Sequence, residues 1–503
     1  MARQPVNWPA EESEQPIGGG VIAVLKSKPS HTGYTPYISH GYYDSTPNPL
    51  ARLRAQATKL RALAIAPLPV AGAILLIGII LLNLFWVIDH PASPTDLGSL
   101  KDLGSFLHSG AAHREGLNPY AYHPLIQPLP ISQEGLNLNP PISVYAFDLL
   151  SRFDPSAVKV GFIAISCLSY FGAVFALMRA YPEKRTLLVA LSMIALAGFW
   201  HMLWYLQLYA PLLLGVVAAW LLIRNGNLFW GGILIGLVIA LKPNYAVVPL
   251  ILLAAGHYRI ALLAIGAAAC ISAIPLLLDG PQIYRQWLEL SIQFPGLTWT
   301  SNASLASAGA RLGVPFLGTM FAGIVLLAVL YVTWRIRPSP LNAMACGLLT
   351  VLLLGPVSWA GYTLFLLPFL FSRKWDRVTW AAVLLLAAPF SPEGAVSSVS
   401  RTSSSIGLAF PPFRALHDWA LNVSGWLSTA AANVGATIAE PARGLWNAPL
   451  QAATQTGAAL APLALALLSS IYAWAVLLLL VRFIWEQARE RPAAIPARIR
   501  RVT

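Results

Sequence analysis

Residues 228–256 read LFWGGILIGLVIALKPNYAVVPLILLAAG. Two apolar stretches, 228–241 and 244–256, meet at Lys242-Pro243, and neither contains a charge. Each is shorter than the ~20 residues that a straight helical crossing of a membrane needs. Proline lacks an N–H, and its ring blocks the preceding turn, so a helix breaks at Pro243. The stretch therefore reads as two short tilted helices or one long broken one. Either form needs lipid around it. A single lysine at the break is the one charged group in the whole run.

The rest of the chain has the same character. Its 503 residues are 57% hydrophobic and 11% charged, with a mean hydropathy of +0.63. A length of 503 suggests about three soluble domains, but a soluble chain is nearer ~25% charged. So little charge cannot clothe three cores in water. Further apolar runs lie at about 64–88, 159–180, 186–200, 208–223, 260–278, 312–334, 341–357, 361–371, 378–390 and 462–482. The chain is expected to be an all-α polytopic integral membrane protein with about twelve spans, ten or eleven remaining open. Four regions follow: a disordered cytoplasmic tail 1–60, a transmembrane core 61–390, an outward interfacial segment 391–461, and a last span with a basic tail, 462–503.

The net charge of +13 comes from 33 Lys+Arg against 20 Asp+Glu. In a soluble chain it would raise nucleic acid as a partner. Threaded through twelve spans, most Lys and Arg fall on the side that holds both termini, and the other side is slightly acidic. That is the positive-inside pattern. The charge orients the chain, and nucleic acid drops out as a partner. A bacterial inner membrane is the expected location, with both termini cytoplasmic. Cys167, Cys270 and Cys346 all lie in apolar runs, so no disulfide or cysteine metal site is expected.

Three outward segments, about 89–158, 279–311 and 391–461, mix apolar stretches with Pro, Gly, Trp and Tyr. They read as amphipathic helices on the membrane surface; residues 412–450 are the clearest case. A transporter needs polar groups inside its spans, and these are nearly absent. Polar residues instead converge on the outer boundary: Asp96, Asp102, His108, His113 and His123; His201, Trp204, Tyr205 and Gln207; Lys242, Asn244 and Tyr245; Asn302, Ser304 and Arg311; Ser358 and Trp359. That points to an enzyme at the interface with one substrate in lipid.

Several of these residues carry a family pattern. Asp102-Leu-Gly-Ser-Phe106 through Ser109-Gly110, then Gly116-Leu-Asn118-Pro119-Tyr120, resembles the first outer loop of glycosyltransferase family 87. Gly232-Ile-Leu-Ile-Gly236 leading to Lys242-Pro243 looks like that family's Gly-rich span ending in Lys-Pro. Asn302-Ala-Ser304-Leu305 is similar to its Asn-x-Ser-Leu segment. Pro356-Val-Ser358-Trp359-Ala-Gly361-Tyr362 resembles its Pro-x-Ser-Trp-x-His-Tyr element, with Gly361 where the family has His. Leu206-Gln207-Leu208-Tyr209 stands where the family has Gly-Gln-x-Asn. The similarity runs in order from about 64 to 390. It implies a GT-C-like fold and inverting transfer of a mannose-type sugar from a polyprenyl-phosphate donor to a glycolipid or glycan acceptor, with the active face toward the periplasm.

The resemblance places Asp102 as the base that takes the acceptor's hydroxyl proton. Its bland alternative is a helix cap. Asp96, before a similar Leu-Gly-Ser-Leu, is the rival base. A leaving phosphate needs cationic donors: Lys242 first, then Arg311 and Arg114. Lys242 is equally readable as a snorkelling lysine and Arg311 as a topological anchor. His123, His201, Gln207, Asn244, Asn302, Ser304, Ser358 and Trp359 are candidates for sugar or acceptor binding, Trp359 also reading as an interfacial aromatic. His108 and His113 read as solvated loop residues. No carboxylate or histidine cluster has metal-ligand spacing, and Gly18-Gly19-Gly20 reads as linker. No metal or other cofactor is expected, and the lipid-linked sugar is a substrate. A lipid or sugar transporter or flippase and a non-catalytic relative of the enzymes are the competing classes.

Overall fold

The computed structural model describes residues 67–89, 100–126, 136–293, 301–389 and 470–489. The tail 1–60, Asp96, the interfacial segment 391–461 and the basic tail after residue 489 lie outside the described residues. The chain divides at residue 63 into two units, and every described residue belongs to the second, Ala64–Thr503.

Among the described residues the protein is helical. The only β pairing there is an isolated bridge between Asn302 and Trp359. In chain order the helices are α1 Pro67–Asp89, α2 Lys101–Arg114, α3 Ile142–Leu150, α4 Pro155–Ala180, α5 Leu187–Ala195, α6 Ala197–Tyr205, α7 Tyr209–Arg224, α8 Leu228–Leu241, α9 Val247–Ala254, α10 Tyr258–Leu278, α11 Gln282–Gln293, α12 Leu305–Arg311, α13 Pro315–Ile336, α14 Pro340–Leu354, α15 Leu367–Ser372, α16 Arg377–Ala387 and α17 Ile471–Arg489. Where described, each apolar run of the sequence corresponds to one of these helices or a joined pair, except 361–371, which is a 3₁₀ segment Ala360–Leu366 leading into α15. Among the described residues five segments are long and apolar enough to cross a membrane: Pro155–Ala180, Leu187–Tyr205 (α5 and α6 joined), Tyr258–Leu278, Pro315–Ile336 and Ile471–Arg489. Seven shorter apolar segments accompany them. Outward faces of α4, α10 and α13 expose Leu168, Phe175, Leu262, Phe316 and Leu327, as helices bathed in lipid do. Several apolar helices of this kind mark a membrane protein.

The break at Lys242-Pro243 is a reversal of chain direction. A Cβ on Gly232 would meet the Cβ of Leu263 at 2.8 Å, and one on Gly236 would stand 2.5 Å from the carbonyl oxygen of Ala264. Position 232 thus faces 263 and position 236 faces 264–268, so α8 and α10 run parallel. The glycines let the two backbones touch, as small residues do between helices in lipid. Helix α9 joins them and must return in the opposite direction. Two short helices are therefore the correct reading, and Lys242 sits at their turn. It caps α8 by donating its N–H to Val238 O at 2.8 Å, just before a 3₁₀ turn, Pro243–Ala246.

The two ends of the bundle differ chemically. Helix α7 runs from Tyr209 to Arg224, about 24 Å at 1.5 Å per residue. At its far end Arg224 donates to Ala180 O at 2.6 Å, Lys184 donates to Arg373 O, Arg482 pairs with Asp376, and Asn342 donates to Gln487 at 2.8 Å. The basic turns of several hairpins and of α17 meet there. At its near end lie Tyr209, Gln207 and the Lys242 turn.

Candidate active site

Four pieces of chain build the near end. Helix α2 carries Asp102 in its first turn. Its cap is Leu100, with no side-chain capping bond, so the capping role open to Asp102 in the sequence is not what it does. Lys101, just before it, is held at φ +48°, a conformation that non-glycine residues adopt only when their surroundings impose it. Its ammonium lies 4.7 Å from the Trp204 ring centre. The body of α2 is fixed by its small residues: a Cβ on Gly110 would run into the Phe147 backbone, so α2 and α3 touch. Phe106 stacks on Phe147 at 4.7 Å, and Leu103, Leu107, Val158, Phe162 and Leu206 complete that core.

The second piece is the α6–α7 turn. Leu206 ends α6 in the left-handed conformation, and Gln207 N–H closes the turn on Met202 O at 3.1 Å. His201 lies inside α6. Gly198 seats α6 against the 3₁₀ segment Ala360–Leu366. The third piece is the Lys242 turn.

The fourth is the pairing of residues 301–303 with 358–360. Ala303 donates to Ser358 O and Ala360 to Ser301 O, both at 2.6 Å. Asn302 is fully buried and holds the pair: its Oδ1 accepts from Ser304 N (3.1 Å) and Ser358 N (3.0 Å), and its Nδ2 donates to Pro356 O at 3.1 Å. Ser304 caps α12 by accepting from Ser307 N at 3.0 Å. Asn302, Ser304 and Ser358 are thus frame residues behind the wall that Ser301 and Trp359 present.

These pieces surround a cavity of about 370 Å³, near the lower end of the ~300–1,000 Å³ range of small-molecule sites. Of the residues proposed from sequence, Asp102, His201, Gln207, Lys242, Asn244 and Trp359 line it. Asp102 and Lys242, separated by about 140 positions in the chain, meet in one cleft. His201 stands between aromatic rings, 4.6 Å from Tyr205 and 6.4 Å from Trp359, centre to centre. Sequence reasoning missed Phe106, Tyr209, Tyr362 and Trp287 as lining residues. Tyr209 and Tyr362 close two of the motifs that were read, and that membership was the available signal. Trp287 lies on the surface helix α11 and donates to Leu138 O at 3.1 Å; nothing in its pattern marked it.

Other candidates stand elsewhere. Arg311 is buried, with its guanidinium committed to the frame: Nε donates to Ser470 Oγ (3.0 Å), Nη1 to Ser307 Oγ (2.6 Å) and Nη2 to Asn302 O (3.1 Å). It ties α17 to the Asn302 loop and does not line the cavity. Arg114, at the far end of α2, donates to Ser151 Oγ at 2.8 Å and faces Asp148 at 3.6 Å. His123 holds its own loop, its Nε2 lying 2.8 Å from Asn118 O. His108 is buried, not solvated, and accepts from the His123 N–H at 3.2 Å. Burial and the neighbouring His123 lower its pKa below the usual imidazole value. His113 lies between Asp279 (3.2 Å) and Asp148 (3.9 Å). All three cysteines are free thiols. Among the described residues no group of three or more His, Cys, Asp or Glu could hold a metal ion.

Burial pushes the Asp102 carboxyl from 3.8 up to about 7, while Lys242 and Lys101 pull it back. A carboxyl poised near neutrality takes a proton readily and gives it up readily. A helical bundle with lipid-facing apolar helices and a cleft at one end that brings Asp102, His201 and Lys242 together marks a membrane protein with a candidate small-molecule site. The glycosyltransferase family 87 model matches residues 137–356. The match supports a glycosyltransferase and takes in the Gly-rich α8, the Lys242 turn and Asn302. It stops short of Trp359 and leaves out Asp102. No curated protein and no solved structure matches the chain.

Proposed function

We propose that the protein is a GT-C-type glycosyltransferase of about twelve membrane crossings. It moves a mannose-type hexose or a pentose from a polyprenyl-phosphate donor to a glycolipid or glycan acceptor on the periplasmic face of a bacterial inner membrane. The observation that carries this reading is the meeting of Asp102 and Lys242 in one aromatic-walled cleft at the less basic end of the bundle.

The chemistry follows from that geometry. The acceptor hydroxyl attacks the anomeric carbon as the bond from that carbon to the phosphate oxygen breaks. Asp102 takes the hydroxyl proton, and the polyprenyl phosphate leaves with the bonding electrons. Lys242 offsets the negative charge that grows on the phosphate. Trp359 and the rings beside His201 give the apolar face of a sugar a surface to lie on. Gln207, Asn244 and His201 supply hydrogen-bonding groups for its hydroxyls. The residues themselves need no metal for this sequence of steps.

The test uses purified protein in lipid nanodiscs, polyprenyl-phosphate sugars and extracted envelope glycolipids. Asp102→Asn is expected to abolish transfer while expression is unchanged. Undiminished transfer by that variant would remove Asp102 as the base. Mass spectrometry of envelope glycolipids with and without the gene product identifies the sugar and its acceptor.

A further inference from the structure

Lys242 is 9% exposed. The ion pairs among the described residues leave it out, although Asp102 lines the same cavity. What lies against the ammonium is aromatic. Its Nζ stands 5.5 Å from the centre of the Tyr209 ring and 5.4 Å from that of Tyr362. The two rings meet edge to face at 4.8 Å. Ring faces attract a cation without cancelling its charge. A carboxylate in the same place would have neutralised it.

Position 361 explains how the Tyr209 ring fits. A Cβ there would lie 2.3 and 2.4 Å from two carbons of that ring, closer than real Cβ atoms come. The backbone at Gly361 has no positive φ. Glycine is needed there for room, not for conformation.

We propose that Tyr209 and Tyr362 form an aromatic cradle that presents the Lys242 ammonium, still positive, to the phosphate end of a lipid-linked substrate, and that Gly361 is required because it admits the Tyr209 ring. The proposal rests on the glycosyltransferase reading above for the nature of the substrate. Tyr209 acts here as a positioning residue: it keeps water off the ammonium and limits where the long lysine chain can point.

The test measures binding of farnesyl phosphate to the full-length protein in detergent, with farnesol and inorganic phosphate as comparison ligands and thermal unfolding recorded for each variant. Tyr209→Phe keeps the ring and is expected to bind within about 2-fold of wild type, whereas Tyr209→Leu is expected to bind about 10-fold more weakly at a comparable Tm. Gly361→Ala is expected to cost about 10-fold when Tyr209 is present but less than about 2-fold once Tyr209→Leu has emptied the space, because the two positions act through one contact. Wild-type binding by Tyr209→Leu, or an equal cost of Gly361→Ala in both backgrounds, overturns the cradle. If Gly361→Ala does not fold, the contrast of Phe with Leu at Tyr209 still decides. Failure of the parent reading is distinct: wild type would bind farnesyl phosphate no better than farnesol, or Lys242→Met would bind it as tightly as wild type. Inorganic phosphate binding as tightly as farnesyl phosphate overturns the lipid-linked part of the proposal.

Discussion

The pH dependence of transfer tests the site most directly. A base acts only when unprotonated, and burial holds the Asp102 carboxyl at about 7 in place of 3.8. The acidic limb of kcat/KM against pH is therefore expected near neutrality, with activity rising as the pH passes through about 7. The two lysines set where the limb lies, since both pull the carboxyl down, Lys242 more than Lys101. Removing either charge must move the limb upward. At an effective dielectric of ~20, a unit charge ~4 Å away contributes about 4 kcal/mol, or roughly 3 pH units at 1.36 kcal/mol per unit. Lys242 lies beyond ion-pair range, so that figure is a ceiling, and about one unit is the working expectation for Lys242→Met. Lys101 is exposed and faces Trp204, and Lys101→Met is expected to move the limb by less than half that amount. The assay is the initial rate of transfer at low donor concentration across a pH series for the three proteins. A limb near 4 in wild type, or one that ignores both substitutions, would refute Asp102 as the titrating base.

Two further outcomes follow from the packing. Gly236→Ala is expected to destabilise the protein by ~1–3 kcal/mol, because its Cβ meets the Ala264 carbonyl at 2.5 Å, while Gly323→Ala, with no neighbour within 4 Å, is expected to leave the Tm unchanged; thermal unfolding in the same detergent compares them. Arg311→Lys is expected to lower the Tm, since an ammonium cannot reach Ser470, Ser307 and Asn302 together, and to leave the donor KM unchanged in the folded fraction; a raised KM at unchanged Tm would return Arg311 to the phosphate.

The helices were legible because lipid leaves few alternatives: a long apolar run must satisfy its own backbone, and helix is the open route. Pro243 marked a break for the same local reason, yet only the contacts of Gly232 and Gly236 with α10 showed that the chain turns back there. Asp102 and Lys242 were found because charge in apolar surroundings needs an explanation, and each had a motif beside it. Arg311 met the same criterion, was read both as a second phosphate donor and as an anchor, and stands outside the cavity. Its guanidinium is used by three groups, one of them Ser470, almost 160 residues away, and no local pattern carries that contact. His108 was read as a solvated loop residue. It is buried because Gly110, two residues on, brings α2 onto α3, a consequence of tertiary packing. Tyr209 and Tyr362 stood inside quoted motifs but were not singled out as site residues, because tyrosines at a membrane boundary are common anchors.

The division of the bundle into a basic end and a cleft end bears on why the cleft can work at all. A lone ammonium in an apolar wall costs free energy unless an anion arrives or its charge is spread. The basic turns could have crowded further cations around Lys242 and made its burial untenable. They are instead held about one helix length away by carbonyls, Asp376 and Glu486. That leaves Lys242 and Lys101 as the cations acting on Asp102. With one carboxyl near neutrality and one buried ammonium, a single proton or a single incoming phosphate changes the net charge of the cleft. A site of that kind responds to its substrate's charge far more than a surface of many fixed charges would, because each added ion is a large fraction of the local field.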